Sequence, residues 1–242
     1  MQRPDRRTLL GVGLIMSSLA GLALAIVFIV SGVVGDNVDL PSDGSLSNIL
    51  DNDSGQGTVL DGPPLSDSAT IPQGSLPIRV SVPNVYIDAP VVTLGVGADD
   101  YPEVPGRGDQ VAWYNFSATP GLGNNAVFSG HVDWQTADGR PIPGAFYRLR
   151  ELRIGDEIDV ALEDGTVLKY RVTGNVATKW DDTNITRSMS PTIRDVVTLI
   201  TCGGTWMIDH SKPEGGNYSH RIVVRAELVT PAAAAALPPA SE

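Results

Sequence analysis

The chain has 242 residues, which is enough for one domain of ordinary size together with accessory segments. Its formal net charge of -11 would repel a polyanion, so nucleic acid is excluded as an expected partner. The single cysteine, Cys202, excludes an intramolecular disulfide, and the stability of the fold therefore has to come from a packed core.

The N-terminal region has the pattern of a membrane anchor. The uncharged run from Leu9 to Gly35 holds about 27 residues and would be about 40 Å long as a helix, which is sufficient to cross a bilayer. Three arginines precede the run within residues 1–8 and Asp36 follows it, so the positive-inside rule places the N-terminus in the cytoplasm. A cleaved signal peptide is the alternative, but its apolar region is usually only about 7 to 15 residues long. The sequence thus predicts a single-pass cell-membrane protein, anchored through residues 9–35, with the domain that follows the anchor extracytoplasmic.

Two further segments lack the periodicity of helices and strands. Residues 36–75 are rich in Asp, Ser, Gly and Pro, and the stretch from Asp36 to Ile78 has seven aspartates and no Lys, Arg or Glu. This composition predicts a flexible, disordered acidic linker. Residues 231–242, with an alanine run and adjacent prolines, are predicted to form a disordered tail. One folded domain remains over residues 76–230.

Short β-branched segments broken by Gly, Pro and Asp run through this domain and are typical of strands. Three examples are Ile78–Val82, Asn125–Phe128 and Val196–Ile200. The Asp-Gly pair at 164–165 predicts a hairpin turn between strands at 157–160 and 167–172.

The end of the domain, Ile222–Val229, is predicted as a final strand, and the one helical candidate is the short stretch Ala145–Arg150. The fold class is therefore mainly β. We predict a single closed β-barrel with short helices, because closure removes exposed sheet edges.

Three of the predicted strand ends carry residues capable of nucleophilic catalysis. His131 follows Ser129-Gly130, Cys202 follows an apolar strand and precedes two glycines, and Arg221 opens the final strand. A free thiol has a pKa near 8.5, so Cys202 needs a neighbouring base to become a useful nucleophile. His131 can act as that acid/base, and Arg221 offers a permanent charge to a developing oxyanion.

Two other histidines are rival bases. His220 neighbours Arg221, but adjacent residues on a strand point to opposite faces, so both cannot face Cys202. His210 lies in the connection from Thr205 to Asn217, which we predict to be a mobile loop. Both histidines are interpreted as solvated surface residues.

The run Thr198-Leu199-Ile200-Thr201-Cys202 resembles the sortase pattern Thr-Leu-X-Thr-Cys at every fixed position. The order of an upstream His131 and a downstream Arg221, about 19 residues after the cysteine, is also similar to that family. The resemblance covers the predicted domain. Within the family, the sequences around Cys202-Gly203-Gly204 and His131-Val132-Asp133 are most similar to class F, with class E next.

This resemblance implies a sortase-type barrel and a cysteine transpeptidase. Cys202 would attack the Thr carbonyl of a Leu-Pro-X-Thr-Gly-like C-terminal sorting signal in a secreted protein, while His131 protonates the departing amine. An amine from a cell-wall precursor or a pilin would then resolve the thioacyl-enzyme. Thr201 is implied as a substrate-binding residue, and we expect the same of Gly203, through its backbone, and of Trp206, which is close to Cys202 in the sequence.

Other functions fit parts of the same pattern. An extracytoplasmic thiol protease or hydrolase would use the same three residues but resolve the thioester with water. L,D-transpeptidases also use Cys and His, but their Ser-His-Gly-Cys run is absent, since Ser219-His220 is followed by Arg221. A tethered, non-catalytic β-barrel binding module would leave Cys202 incidental. No nucleotide motif, haem motif or metal-ligand cluster is visible, so no cofactor and no metal are expected.

Overall fold

The structure, a computed structural model, describes residues 40–41, 45–51, 74–211 and 215–229. The predicted cytoplasmic segment 1–8, the membrane anchor 9–35, most of the linker and the tail 231–242 lie outside the described residues. No helix within the described ranges has the length and apolar character needed to cross a membrane.

Eight strands form a closed barrel, as predicted. Their order around the barrel is β1 (Pro77–Val82), β2 (Ile87–Leu94), β3 (Val111–Tyr114), β4 (Asn125–Gly130), β9 (Val196–Ile208), β10 (Gly216–Leu228), β8 (Val167–Lys179) and β7 (Glu157–Leu162), and β7 pairs again with β1. The strands β5 (Asp133–Gln135) and β6 (Pro141–Pro143) form a separate two-stranded sheet. Closure leaves every long strand paired on both sides.

Most barrel pairs are antiparallel, but β2 with β3 and β4 with β9 are parallel. The parallel pairing of β4 with β9 determines where the predicted catalytic residues lie. Parallel strands end at the same edge of a sheet, so the end of β4, which precedes His131, lies beside the part of β9 that carries Cys202. The predicted hairpin between β7 and β8 is confirmed, with Gly165 at a φ of +87° in its turn.

Alternation along the strands separates an inner core from two outer clusters. Trp113, Phe128 and Leu199 are fully buried in the inner core. Phe146 and Leu149 belong to the same cluster, and they come from the connection between β6 and β7. The helix predicted at Ala145–Arg150 is a 3-10 turn over Leu149–Glu151 in that connection. A second short 3-10 turn covers Pro83–Val85.

A short helix, α1 (Leu46–Asp51), lies within the segment predicted as a linker and differs from that expectation. Leu46, Ile49 and Leu50 are buried against Val176 of β8 and Val223 of β10 on the outer face of the barrel. Sequence periodicity did not indicate this helix because it has fewer than two turns and its partners are on distant strands.

Glycine in β8 allows α1 to approach the barrel closely. A Cβ on Gly174 would lie 2.7 Å from Ile49 Cδ1, which is closer than side chains pack. The helix also contacts a second short helix, α2 (Asn184–Arg187), between β8 and β9, where Ile185 packs against the same apolar residues. The folded unit thus includes residues upstream of the predicted boundary at residue 76.

We expect Ile49→Ala to lower the free energy of unfolding by about 2 kcal/mol, because it removes a buried side chain and leaves a space against the barrel. Chemical denaturation of the purified protein measures this change. Asn48→Ala, on the exposed side of the same helix, is the matched control and is expected to change stability by less than about 0.5 kcal/mol. Equal effects of the two substitutions would show that α1 is not held by its apolar face.

Candidate active site

Cys202 and Arg221 are directly opposite each other on β9 and β10. Side chains at directly opposed positions of an antiparallel pair lie on the same face of the sheet. The next pair along the ladder is Gly203 with His220, which therefore faces the other way. This register confirms that Arg221, and not His220, shares a face with the cysteine.

His131 is placed by the end of β4. The last paired residue of β4 along β9 is Ser129, opposite Ile200, so His131 continues toward the level of Cys202. Among the described residues, its imidazole contacts the carbonyl oxygen of Pro105 through Nε2, at 2.8 Å, and the ring of Trp134, with the ring centroids 4.8 Å apart. A carbonyl can only accept a hydrogen bond, so Nε2 carries a proton and Nδ1 remains the nitrogen that can gain or release one.

Close packing of glycines holds the backbone around His131. A Cβ on Gly144 would lie 2.3 Å from the His131 carbonyl oxygen, and one on Gly108 would lie 2.3 Å from Trp134 Cβ. The His131 oxygen also accepts a hydrogen bond from the Phe146 amide at 2.9 Å. The histidine is therefore fixed at its backbone by neighbouring segments.

Burial raises the pKa of the Cys202 thiol above its ordinary value. The positive charge of Arg221 acts in the opposite direction and lowers the thiol pKa, while the negative charge of Asp133 raises it further. The resting site thus holds a half-buried, protonated thiol between a favourable and an unfavourable charge.

Asp133 and Tyr218 complete the surroundings of the thiol and were not assigned roles by sequence reasoning. The Tyr218 hydroxyl donates a hydrogen bond to Asp133 Oδ2. Burial, and then the hydrogen bond and charge of Asp133, raise the pKa of Tyr218 far above its ordinary value, so the phenol remains a donor. The ring of Trp206 packs edge-on against Tyr218, at a centroid distance of 5.1 Å. Trp206 therefore lies beside Tyr218, and its contact with a substrate remains a prediction.

Thr201 differs from its expected role. Its side chain is 4 % exposed and its hydroxyl donates to the Gly130 carbonyl at 2.7 Å, so in this structure it joins the two strands and is not open to a substrate. A Cβ on Gly203 would lie 2.8 Å from Ile222 Cγ1 in the inner core, so packing alone requires glycine there. A substrate contact through the Gly203 backbone remains a prediction.

The guanidinium of Arg221 is oriented by its own strand. Nη1 donates to the carbonyl oxygens of His220, at 3.0 Å, and Tyr218, at 3.3 Å, and Nη2 donates to Asn217 Oδ1 at 3.0 Å. Arg221 makes no salt bridge within the described ranges. The positive charge therefore remains available to an anion that develops near Cys202.

The predicted mobile loop from Thr205 to Asn217 is wrong in extent. Strand β9 continues to Ile208 and β10 begins at Gly216, so both ends of this segment are paired strands. Gly204, at a φ of +78°, lies within an irregularity of the β9–β10 ladder. His210 is exposed in the turn that follows β9 and does not reach the site. No group of three or more His, Cys, Asp or Glu within the described ranges could hold a metal ion.

A family model described as the sortase domain matches residues 80–229, which is more than half of the chain, so the chain belongs to the sortase family. Members of this family are cysteine transpeptidases, and the chain is an enzyme of that class. A search of curated proteins found no match.

Similar solved structures include three sortases. Sortase A from Corynebacterium diphtheriae, a lid mutant, is 21 % identical with a TM-score of 0.47, covering 77 % of this chain and 95 % of that one. The Clostridium perfringens sortase D5 transpeptidase is 16 % identical, with a TM-score of 0.43 and coverages of 64 % and 79 %. A lid mutant of Streptococcus agalactiae sortase C1 is 20 % identical, with a TM-score of 0.44 and coverages of 64 % and 69 %. The similarity to class F remains a prediction.

We predict opposite effects of the two charges on the thiol. Asp133→Asn is expected to lower the apparent pKa of Cys202, because it removes a negative charge that opposes the thiolate, and Arg221→Gln is expected to raise it. The rate of iodoacetamide alkylation as a function of pH reports the thiolate fraction at this single cysteine. Shifts of both variants in the same direction would contradict the assigned charge environment.

Proposed function

We propose that Cys202 is the nucleophile of this transpeptidase, with His131 as its acid/base and Arg221 as the oxyanion stabiliser. The observation that carries the proposal is the direct cross-strand pairing of the sole cysteine with Arg221. A thiol whose pKa is raised by burial needs a base at the moment of attack. His131 Nδ1 is suited to this role, because Nε2 is already occupied by Pro105.

The reaction begins when Nδ1 of His131 takes the thiol proton and the sulfur attacks the carbonyl carbon of the scissile peptide. The carbonyl oxygen becomes negative and is stabilised by the Arg221 guanidinium. The C–N bond then breaks, and His131 returns its proton to the departing amine. An incoming amine reverses these steps on the thioester, forms a new amide bond and restores the thiol.

The substrate we propose is a Leu-Pro-X-Thr-Gly-like sorting signal at the C-terminus of a secreted protein. An apolar cluster on the outer face of the barrel supports this choice. It consists of Ala112, Tyr114, Val127 and Ile200, with Leu94, Phe116 and Met189 only partly buried around it. Ile200 and Cys202 lie on the same face of β9, because they are two residues apart. The four cluster residues are themselves buried, so we propose that the partly buried Leu94, Phe116 and Met189 at its edge contact the apolar side chains of a bound peptide while its Thr carbonyl reaches the sulfur.

The connection between β8 and β9 borders this face. Asn125 donates through Nδ2 to the carbonyl oxygens of Ser188, at 2.9 Å, and Ser190, at 3.0 Å. Its Oδ1 accepts a hydrogen bond from Thr198 at 2.7 Å. Asn125 is on β4 and Thr198 on β9, so these bonds hold the connection, including Met189, against the β4–β9 pair, and we propose that the connection forms one wall of the peptide-binding site.

The acceptor we propose is an amine of a cell-wall precursor or of a pilin lysine. We also propose that residues 9–35 anchor the enzyme in the cell membrane with the catalytic domain outside, where such acceptors and secreted substrates meet. The uncharged run and the arginines before it support this topology.

Protease added to intact cells tests the topology. We expect it to digest epitopes within the catalytic domain and to spare a tag on the N-terminus, because only the domain faces the medium. Detergent-permeabilised cells, in which both are digested, are the control. Protection of the domain in intact cells would refute the proposed orientation.

Single-turnover cleavage of a Leu-Pro-X-Thr-Gly peptide tests the catalytic residues. Cys202→Ala is expected to abolish thioacyl formation, because the chain has no second thiol. His131→Ala is expected to slow acylation by about 100- to 10,000-fold through loss of proton transfer. Arg221→Lys keeps a positive charge but loses the planar guanidinium and its directed N–H donors. We therefore expect a large drop in turnover with little change in peptide binding.

His220→Ala is the matched control for His131→Ala, because His220 is next to Arg221 in sequence but faces away from Cys202. We expect it to retain most of the acylation rate. If the two histidine substitutions are equally damaging, or if Cys202→Ala still cleaves the peptide, the assignment of these residues is wrong.

A further inference from the structure

Asp133 is a carboxylate whose negative charge acts on the Cys202 thiol. It begins β5, two residues after His131, and is half-buried. Its one hydrogen bond to a side chain comes from the Tyr218 hydroxyl, and it forms no salt bridge within the part of the chain that the structure describes. The guanidinium of Arg221 is directed instead to backbone carbonyls and Asn217.

This carboxylate opposes the first half of the reaction. Burial raises the pKa of the Cys202 thiol most, and the negative charge of Asp133 adds a smaller effect in the same direction. This charge also disfavours an oxyanion forming nearby. A purely structural bond to Tyr218 does not need the charge, since an asparagine oxygen would accept the same hydrogen bond. The negative charge of Asp133, which disfavours the thiolate, is therefore expected to serve another step of the reaction.

In the second half of the reaction, the negative charge of Asp133 changes from unfavourable to favourable. Once Cys202 is acylated, its sulfur is part of an uncharged thioester, which a neighbouring anion does not destabilise. The next reactant is an amine, and aliphatic amines with pKa values of about 8 to 10 are mostly ammonium ions at neutral pH. A half-buried carboxylate attracts such a cation and directs its N–H groups by charge-assisted hydrogen bonds.

We propose that Asp133, held by the Tyr218 hydroxyl, is the residue that binds the acceptor amine in its ammonium form. This inference rests on the proposed role of Cys202. The ligand class is a primary ammonium group, whether it comes from a peptide N-terminus or from a lysine side chain. Trp206, packed against Tyr218, lies next to the same position and can contact the aliphatic part of the acceptor.

The protons and bonds balance as follows. The bound ammonium releases one proton to solvent and becomes a neutral amine next to the thioester. The nitrogen attacks the thioester carbonyl, and the C–N bond forms while His131 accepts the second proton. The C–S bond then breaks, the sulfur leaves, and His131 returns that proton to give the Cys202 thiol. Asp133 binds and orients the acceptor and undergoes no net change.

Competition between charged and uncharged acceptors tests this role. The acyl-enzyme is formed with a Leu-Pro-X-Thr-Gly peptide at neutral pH, and the products from three acceptors are quantified. Two acceptors are cations, a glycyl peptide with a free N-terminus and Nα-acetyl-lysine amide, and the third is hydroxylamine, which is uncharged. The measured quantity is the kcat/KM for each cation relative to that for hydroxylamine.

Asp133→Asn preserves the acceptor atom for Tyr218 and removes only the charge. We expect it to lower the cation-to-hydroxylamine ratio by about 10-fold or more, because contacts to charged groups are stronger than neutral ones. Asp138→Asn is the matched control, since it removes one charge from the turn between β5 and β6, where Asp138 is exposed and paired with Arg140. The control is expected to keep the wild-type ratio.

Three results would overturn the proposal. The first is an unchanged ratio in Asp133→Asn, which would leave the Asp133–Tyr218 bond with a structural role only. The second is a wild-type enzyme whose acyl-enzyme reacts with hydroxylamine but with neither cation. The third is the absence of any acyl-enzyme on Cys202, which mass spectrometry detects separately and which would also refute the proposed nucleophile.

Discussion

Strand β9 is paired with β4 in parallel on one side and with β10 in antiparallel on the other. The position of each candidate catalytic residue depends on these two ladders. The parallel pair brings the end of β4, with His131, to the level of Cys202, and the antiparallel pair sets Arg221 opposite the sulfur. The buried Thr201 hydroxyl on β9 donates to the Gly130 carbonyl on β4, and it joins these two strands close to the site. A slip of one residue in either ladder would turn the side chains to the wrong face.

The charges around the thiol serve different steps of the proposed cycle. Arg221 favours the thiolate and the oxyanion, whereas Asp133 disfavours the thiolate. Burial has the larger effect and acts in the same direction as Asp133, so the resting enzyme keeps a protonated sulfur that reacts only when a base takes its proton. Such a site protects a solitary thiol from unwanted reactions, because the thiolate is the reactive species. The Asp133 carboxylate disfavours the thiolate before acylation, but in the proposed cycle it favours binding of the acceptor ammonium group afterwards.

Sequence reasoning identified the barrel and the segments that meet at the site, because strand periodicity and the Thr-Leu-X-Thr-Cys run are local signals. It also placed His220 on the opposite face from Arg221, which the register confirms. It missed α1, whose apolar residues have partners more than a hundred positions away. It missed the Asp133–Tyr218 bond for the same reason, since 85 residues separate the two side chains. The buried hydroxyl of Thr201 joins two strands in this structure, whereas the motif had suggested a contact with the substrate.

The central claim is that a peptide is transferred to Cys202 before it reaches an amine. Mass spectrometry of the acid-quenched enzyme, after brief reaction with a Leu-Pro-X-Thr-Gly peptide and no added acceptor, tests it most directly. We predict a mass increase equal to the acyl fragment ending at Thr, located on Cys202 after digestion and lost on addition of hydroxylamine. Cleavage of the peptide without any adduct on Cys202, or with an adduct on another residue, would contradict the account.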